Sequence, residues 1–251
     1  MKSHSMLTAA ALLFILCFNA NGQNKKQEPG NFIKVNLTGL VFKNYSFQYE
    51  RVLSKKVSFA IAYRTMPSSS LPFKNVILDA SNNNQDTKDA IDALRLSSSA
   101  VTPEIRFYLS KKGYGRGFYI APFYRHASFK ASQMKFNYTN SSNVQNSILL
   151  SGKLTANTGG LLFGVQKALG KHLCLDLWIF GPHYGSGTGS FNGIPGTPLT
   201  QTEQDNLRQQ LNDFDIPLTN KTVTVTANAA SMKLDGPWGG IRSGISFGFR
   251  F

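Results

Sequence analysis

Apolar and polar side chains alternate with a period of two residues along several stretches of this chain. The clearest stretch is residues 101–109, where Ile105 and Phe107 alternate with Glu104 and Arg106. Such alternation is typical of β-strands that have one apolar and one polar face. We predict eight strands on this basis, the sixth of them interrupted by a bulge at Gly159-Gly160. The stretches are 33–38, 45–50, 57–64, 101–109, 117–130, 151–169, 173–179 and 238–251.

The segments between the predicted strands alternate in length after the first one. Short links at 54–56, 111–116 and 170–171 alternate with longer links at 66–99, 131–146 and 185–235, and the first link is 43–44. Outer-membrane barrels have short periplasmic turns and longer external loops, and an even strand number places both chain ends on one side. We therefore predict an all-β fold, an eight-stranded antiparallel up-and-down transmembrane β-barrel.

The longer links carry their own patterns. Residues 86–96 and 202–214 space apolar side chains as an amphipathic helix does, and Thr200 with Glu203 predicts a capping box before the second helix. Residues 132–138 and 221–227 resemble strands that continue beyond the membrane. We expect long extracellular loops with short helices that lie over the barrel mouth.

The first 22 residues have the parts of a secretory signal peptide. A positive charge at Lys2 precedes an apolar run at 7–18, and Ala20 and Gly22 are small residues suited to cleavage. A lipoprotein anchored at Cys17 is the alternative reading. With the leader removed, residues 23–251 form one predicted domain in the outer membrane of a Gram-negative bacterium. Cys174 is then the one remaining cysteine, which excludes an intramolecular disulfide.

The polar faces of the predicted strands carry charged side chains, which we place in the barrel lumen. Eight strands enclose an interior that side chains just fill, so a wide pore is not expected. The charged side chains that we place in the lumen comprise three acids and five bases, which leaves a surplus of positive charge. A filled polar interior is favoured, and a narrow anion path or a small-ligand cavity is the alternative. The predicted lumen residues are Lys34, Glu50, Arg64, Glu104, Arg106, Arg125, Asp176 and Arg242.

The net charge of +14 gives no support for nucleic-acid binding. The basic residues are spread over turns and the inward face, without the aromatic and basic platform that single strands need. A basic rim suits the anionic lipopolysaccharide of an outer membrane. No histidine pair has metal-ligand spacing and no phosphate-binding loop is present, so we expect no metal and no cofactor.

One sequence fragment suggests a catalytic alternative. His126 and Ser128 lie two residues apart on the fifth strand, on the predicted outward face. The pair resembles the His-x-Ser pair of outer-membrane lipid A deacylases, which implies a lipid A-modifying hydrolase. That family has Asn after the serine where this chain has Phe129, and no Asp or Glu occurs between Glu104 and Asp176. A nucleophilic serine needs a histidine oriented by a third group. We therefore expect no enzymatic activity.

A wider resemblance covers most of the chain after the leader. Residues 102–109 (TPEIRFYL) and 117–124 (GFYIAPFY) resemble one hairpin of an uncharacterised Bacteroidota outer-membrane barrel family, similar in build to the small OmpA/OmpX-type barrels. The resemblance implies a small barrel without an assigned activity, and our own prediction is a monomeric barrel with a structural or surface-interaction role. It also implies that the terminal aromatic strand, with Phe247, Phe249 and Phe251, is recognised by the outer-membrane assembly machinery.

Overall fold

The computed structural model describes residues 30–71, 78, 88, 91–140, 144–214 and 218–251. The predicted signal peptide lies outside these residues. Within them the chain forms nine strands and two helices with complete bounds, and residues 78, 88 and 91–93 are also helical. In chain order they are β1 (Asn31–Asn36), α1 (Leu37–Leu40), β2 (Tyr45–Val52), β3 (Val57–Ser69), β4 (Arg95–Tyr108), β5 (Gly117–Thr139), β6 (Gln145–Leu169), β7 (Leu173–Gly193), α2 (Gln201–Asp213), β8 (Asn220–Val225) and β9 (Ala230–Arg250).

Eight of the strands close a barrel, and all pairings are antiparallel. The order around the sheet is β1-β2-β3-β4-β5-β6-β7-β9, and β9 returns to β1 through pairs such as Val35 with Phe247. The ninth strand, β8, pairs with β9 above the point where β1 ends, as in the pair of Val225 with Ala230. The predicted eight-stranded antiparallel barrel is confirmed, with β8 as an added strand on its upper wall.

Several strands are longer than the sequence pattern predicts. β5 continues to Thr139 and β6 begins at Gln145, so the link between them has five residues and is shorter than the predicted link at 131–146. β7 and β9 likewise extend through much of the predicted link at 185–235. The predicted extensions at 132–138 and 221–227 are confirmed in β5 and, as far as Val225, in β8. The predicted first link was too short, because α1 forms where the first strand was expected to continue.

The predicted bulge in β6 was wrong. Gly159 and Gly160 pair in regular register with Tyr184 and His183. The extra residues lie in β7, where the register shifts between Trp178 and Gly181 and both intervening side chains point outward. Gly160 leaves room for its neighbours instead, since a Cβ there would lie within 2.7 Å of both Phe123 and His183, whereas a Cβ on Gly159 would meet no atom within 4 Å.

The second predicted helix forms as α2, and its capping box is confirmed. Thr200 accepts a hydrogen bond from the Glu203 backbone, and the Glu203 carboxylate accepts one from the Thr200 backbone. The first predicted helix, at 86–96, is confirmed in part: Lys88 and residues 91–93 are helical, whereas Arg95 and Leu96 belong to β4. Residues 86, 87, 89 and 90 lie outside the described residues. No helix in the described ranges is long and apolar enough to cross a membrane.

The barrel surface carries a continuous belt of exposed apolar side chains. We call the end with the three short turns the lower end and the opposite end the upper end. Members of the belt from four strands are Phe47, Ile105, Leu177 and Ile245, each 40–52% exposed. Four tyrosines lie at the upper edge of this belt on the outward face, namely Tyr45, Tyr63, Tyr124 and Tyr184.

Above the tyrosines the same strands enclose a second, apolar core, which we call the head core. Helix α2 packs against this part of the sheet through Leu207 and Leu211, which are fully buried. Side chains of β5 to β9 complete the cluster around the helix. The other buried members are Tyr138, Ile148, Leu150, Phe191, Leu199, Val225, Ala230, Met232 and Leu234.

Candidate functional site

The structure places all eight predicted lumen residues on the inward face of the barrel. Seven of them are at most 8% exposed, and Arg64 is half-buried. They divide into two levels. We call the lower level the plug; its members are Lys34, Gln48, Glu50, Glu104, Arg106, Gln166 and Asp176. The upper level contains Arg64 and Arg125. Arg242 lies between the lower and the upper level.

Lys34 is the lower cation of the plug. Its ammonium group contacts Glu50 Oε2 and lies 2.8 Å from Asp176 Oδ2, and it also donates to the amide oxygen of Gln166. The side chain of Phe32, which is 1% exposed, lies below the ammonium group, with its ring centroid 5.5 Å from Lys34 Nζ. The lysine charge is therefore compensated by two carboxylates although no water reaches it.

Arg106 is the central cation of the plug. Its Nη1 lies 2.7 Å from Asp176 and 3.2 Å from Glu50, and its Nε lies 2.7 Å from Glu104. Nη2 donates to Gln48 at 2.9 Å. A planar guanidinium with five donors is suited to bridging three carboxylates in this way.

Neutral side chains satisfy the remaining carboxylate oxygens. Tyr108 and Ser58 donate to Glu50 Oε1, and Tyr119 donates to Asp176 Oδ1 at 2.8 Å. Buried ion pairs stabilise a fold only when their other hydrogen-bonding sites are also filled. The charged groups of the plug meet this condition, although Nε2 of Gln166 is buried without a partner in the described structure. The side chains of the plug fill the lower lumen.

Among the eight predicted lumen residues, three cations and three acids are paired, which leaves two cations over. Lys34, Arg106 and Arg242 are paired with Glu50, Glu104 and Asp176, the Arg242 contact to Glu104 being 3.0 Å. Arg125 contacts only the Thr102 hydroxyl, at 3.4 Å, among the described residues. Arg64 has no hydrogen-bond or ion-pair partner in the described part of the chain.

A cavity of about 580 Å³ lies directly above the plug, and we call it the cup. Arg64, Arg125 and Arg242 all line it. The guanidinium of Arg242 is held over the rings of Phe123 and Trp178, at 4.4 and 4.8 Å from their centroids. The lumen is therefore filled in its lower part and hollow in its upper part.

The outward His126 and Ser128 lie beside the tyrosine level, as predicted from the strand phase. His126 is exposed and pairs with Val101 of β4 in the β-ladder. Val101 pairs on its other side with Tyr63, so His126 lies at the height of that tyrosine. Its Nδ1 lies 2.8 Å from the amide oxygen of Asn157, which also accepts a hydrogen bond from Tyr124. The orienting group of this histidine is thus an amide and not a carboxylate.

The three terminal phenylalanines point outward from β9 and its end. Phe247, Phe249 and Phe251 are 40–50% exposed, and the first two pair with Val35 and Ile33 of β1. Their recognition by an assembly machinery stays a prediction. Among the described residues, no three His, Cys, Asp or Glu side chains form a group that could hold a metal ion.

The sequence analysis missed the neutral members of the site. Gln48 and Gln166 bridge the charges of the plug, while Trp178, His183 and Trp238 line the cup. Their inward phase could be read from β-alternation except in β7, where the bulge after Trp178 moves His183 onto the inward face. Pairing between distant strands, which brings these residues together, has no local signal in the sequence.

Comparisons with known proteins add little to the description of this chain. A scan against protein-family models finds no matching family, and no curated protein sequence matches the chain. Among solved structures, the crystal structure of Acinetobacter baumannii CarO is similar to 86% of this chain and 100% of its own, with 12% sequence identity and a TM-score of 0.33. A similarity this weak carries no functional argument. The assignment of a barrel rests on the strand pairing of this chain, and the resemblance to a Bacteroidota family stays a prediction.

Proposed function

We propose that this protein is an outer-membrane β-barrel of a Gram-negative bacterium with a structural or surface-interaction role. In this proposal the plug closes the barrel to free diffusion, and the head core supports a folded surface outside the membrane. The single observation that carries the proposal is the exposed apolar belt around a closed barrel.

The height of the belt supports membrane insertion. On β9 the outward apolar residues run from Ile241 to Phe249, which are 66% and 50% exposed. Eight residue steps extend about 26 Å along a strand, or about 20 Å across a bilayer at the usual tilt of about 40°. This is close to the apolar band of about 25 Å in outer-membrane barrels.

The four outward tyrosines at the upper edge of the belt, which we call the tyrosine ring, support the proposed position of the upper membrane boundary. Tyr63 pairs with Val101 on the next strand, and Tyr124 and Tyr184 both pair with Gly159 from opposite sides. Tyrosines collect at membrane interfaces because the ring is apolar while the hydroxyl needs a polar partner. The head core, which lies beyond this ring, then projects into water on the external side.

Electrophoretic mobility of the detergent-extracted protein tests the proposal. A closed transmembrane barrel resists SDS when unheated, so we expect a band shift on boiling. Protease added to intact cells should also cleave the link that follows β7, which contains the 82%-exposed Ile194. Recovery of the protein in the soluble periplasmic fraction, without a band shift, would contradict the proposal.

The filled plug supports a barrel without a wide pore. In planar bilayers we expect the intact protein to show no conductance above that of empty membranes. Stable single-channel steps of porin size would overturn this part of the proposal while leaving the membrane barrel intact.

A lipid A-modifying hydrolase is the second candidate, favoured by the hydrogen bond from His126 to Asn157 at the membrane boundary. We propose no catalysis, because an amide cannot compensate the positive charge that the histidine gains as a general base. Cells that express Ser128→Ala should have the same lipid A profile as cells with the native protein. A change in acylation between the two would establish the hydrolase instead.

A further inference from the structure

The cup has the composition of an anion-binding site. Its three arginines come from β3, β5 and β9, and they lie near enough to repel one another. Converging like charges in a largely buried space cost free energy unless a counter-charge is present. The described carboxylates of the lumen are already engaged in the plug below. The counter-charge of Arg64 and Arg125 must therefore come from outside the described chain.

Three further polar atoms of the cup lack a partner. Oδ1 of Asn44, Nε1 of Trp178 and Nδ1 of His183 are buried and form no hydrogen bond within the described structure. Trp178 is 7% exposed, so its N–H has been withdrawn from bulk water without an acceptor. Unsatisfied buried polar groups of this kind are rare in folded proteins and typically mark a missing ligand, ion or water. All three residues line the same cavity as the arginines.

The walls of the cup indicate the size and character of the occupant. A volume of about 580 Å³ lies in the range of small-molecule sites. Trp178, Trp238 and Phe129 contribute aromatic faces to the lining, and Arg242 and Arg125 contribute buried cations. Aromatic faces favour a ring, and guanidinium groups favour carboxylate or phosphate. A bare inorganic ion would leave most of this space and these faces unused.

We propose that the cup binds a small ring-containing organic anion, of the size of a sugar phosphate or a sugar acid, through Arg64, Arg125 and Arg242 with the Trp178 indole. The carboxylate or phosphate group occupies the space between the arginines, and the ring contacts the aromatic wall. The inference goes beyond the proposed function and depends on it only in that the cup faces the external medium.

The two tryptophans of the chain make the site directly measurable. Trp178 and Trp238 are the only tryptophans in the sequence, and both line the cup. We would titrate the full-length, heat-modifiable protein in detergent with glucose 6-phosphate, glucuronate and glucose, and follow tryptophan emission. Saturable changes with at least one of the two anions, and none with glucose, are expected. Equal responses to all three, or no saturable response to either anion, would overturn the proposal.

Arginine variants test which residues hold the anion. Arg125→Gln and Arg64→Gln should each weaken binding by tenfold or more, whereas Arg51→Gln, an exposed arginine at the lower end, should leave it unchanged. Both cup variants should also resist heat better than the native protein without ligand, because each removes an uncompensated charge. Native affinity in both cup variants would overturn the proposal.

A second variant covers the case in which an arginine variant does not fold. Trp178→Phe keeps every charge and removes only the N–H, so it should weaken binding several-fold, with Trp238 as the remaining reporter. Unchanged affinity in this variant would remove the indole from the site. The band shift on boiling, recorded on each sample, separates the two proposals: a sample that shifts but binds no anion contradicts the cup alone.

Discussion

Strands β5, β6, β7 and β9 contribute to the walls of both the barrel around the plug and the head core, yet the two interiors are opposite in character. On β6 the inward Gln166 lies in a network of charges, while the inward Ile148 and Leu150 farther up the strand lie among leucines and methionine. The inward phase is the same in both places. What changes is the medium outside the wall, which is proposed to be lipid below the tyrosine ring and water above it.

This inversion shows that the strand alternation alone does not fix the character of a barrel interior. Where the outer face meets hydrocarbon, apolar side chains are stable outside and polar groups must find partners inside. Where the outer face meets water, burial of apolar side chains inside again stabilises the fold. Four experiments test these two regimes, beginning with the one of largest expected effect.

Removal of the central cation should damage the plug most. Arg106→Ala leaves Glu50, Glu104 and Asp176 with too few cations in a dry lumen, and breaking a buried pair in this way costs about 3–5 kcal/mol. The urea midpoint of the unheated band should fall accordingly. Arg51→Ala, an exposed arginine at the lower end, is the control and should be within about 0.5 kcal/mol of native. Equal stability of both variants would mean that the plug is not the stabilising element.

Truncation of a side chain in the head core should destabilise the head without unfolding the barrel. Leu207→Ala removes a fully buried side chain, which typically costs about 2–5 kcal/mol. We expect faster proteolysis of α2 with the band shift on boiling retained. Leu218→Ala, at an 84%-exposed position, should cleave at the native rate. Loss of the band shift in Leu207→Ala would show that the two regions unfold together.

Two outward aliphatic side chains with matched exposure allow the two media outside the wall to be compared directly. Ile105 in the belt and Leu149 in the head are 44% and 47% exposed. Ile105→Arg should destabilise the barrel by about 2–4 kcal/mol, the cost of a cation near the bilayer midplane. Leu149→Arg should cost less than about 0.5 kcal/mol, as surface changes in water do. Refolding titrations in lipid vesicles measure both, and equal costs would contradict a membrane boundary between them.

The smallest expected effect concerns the start of α2. Thr200→Ala removes the side chain that accepts from the Glu203 backbone, and loss of such a cap costs about 1 kcal/mol. The rate of proteolysis within the helix should rise severalfold, while the neighbouring exposed Thr202→Ala should have little effect. A similar rise in both variants would show that the cap contributes nothing specific.

The barrel could be predicted from the sequence because the outer face, which is proposed to contact lipid, alternates strictly with the inner face. Phe107 and Ile105 face outward and Arg106 and Glu104 face inward for this reason. In the head the outward face is polar and the strands contain many Ser, Thr and Gly residues, as at 185–192, so these strands resembled loop sequence. The first predicted link failed similarly, since the Asn36 side chain accepts from the Gly39 backbone and starts a helical turn.

The candidate site was only partly predictable. The inward phase of Arg64, Arg125 and Arg242 follows from local alternation, and so does the surplus of positive charge. Their convergence in one cavity depends on the register of β3, β5 and β9, which involves residues far apart in the chain. The inward position of His183 depends further on the β7 bulge, for which the sequence contains no glycine signal at Ile179-Phe180.

Strand β9 has a consequence for the order in which the molecule forms. One of its edges pairs with β7 along nearly its whole length, while the other pairs with β1 below and β8 above. Val35 and Phe247, which join the first and last strands, are separated by most of the chain, and contacts of such sequence separation form slowly. Because β9 follows every other described strand, the barrel and the head are both completed by the same late pairing event. Folding of the two regions is therefore kinetically linked even where their stabilities differ.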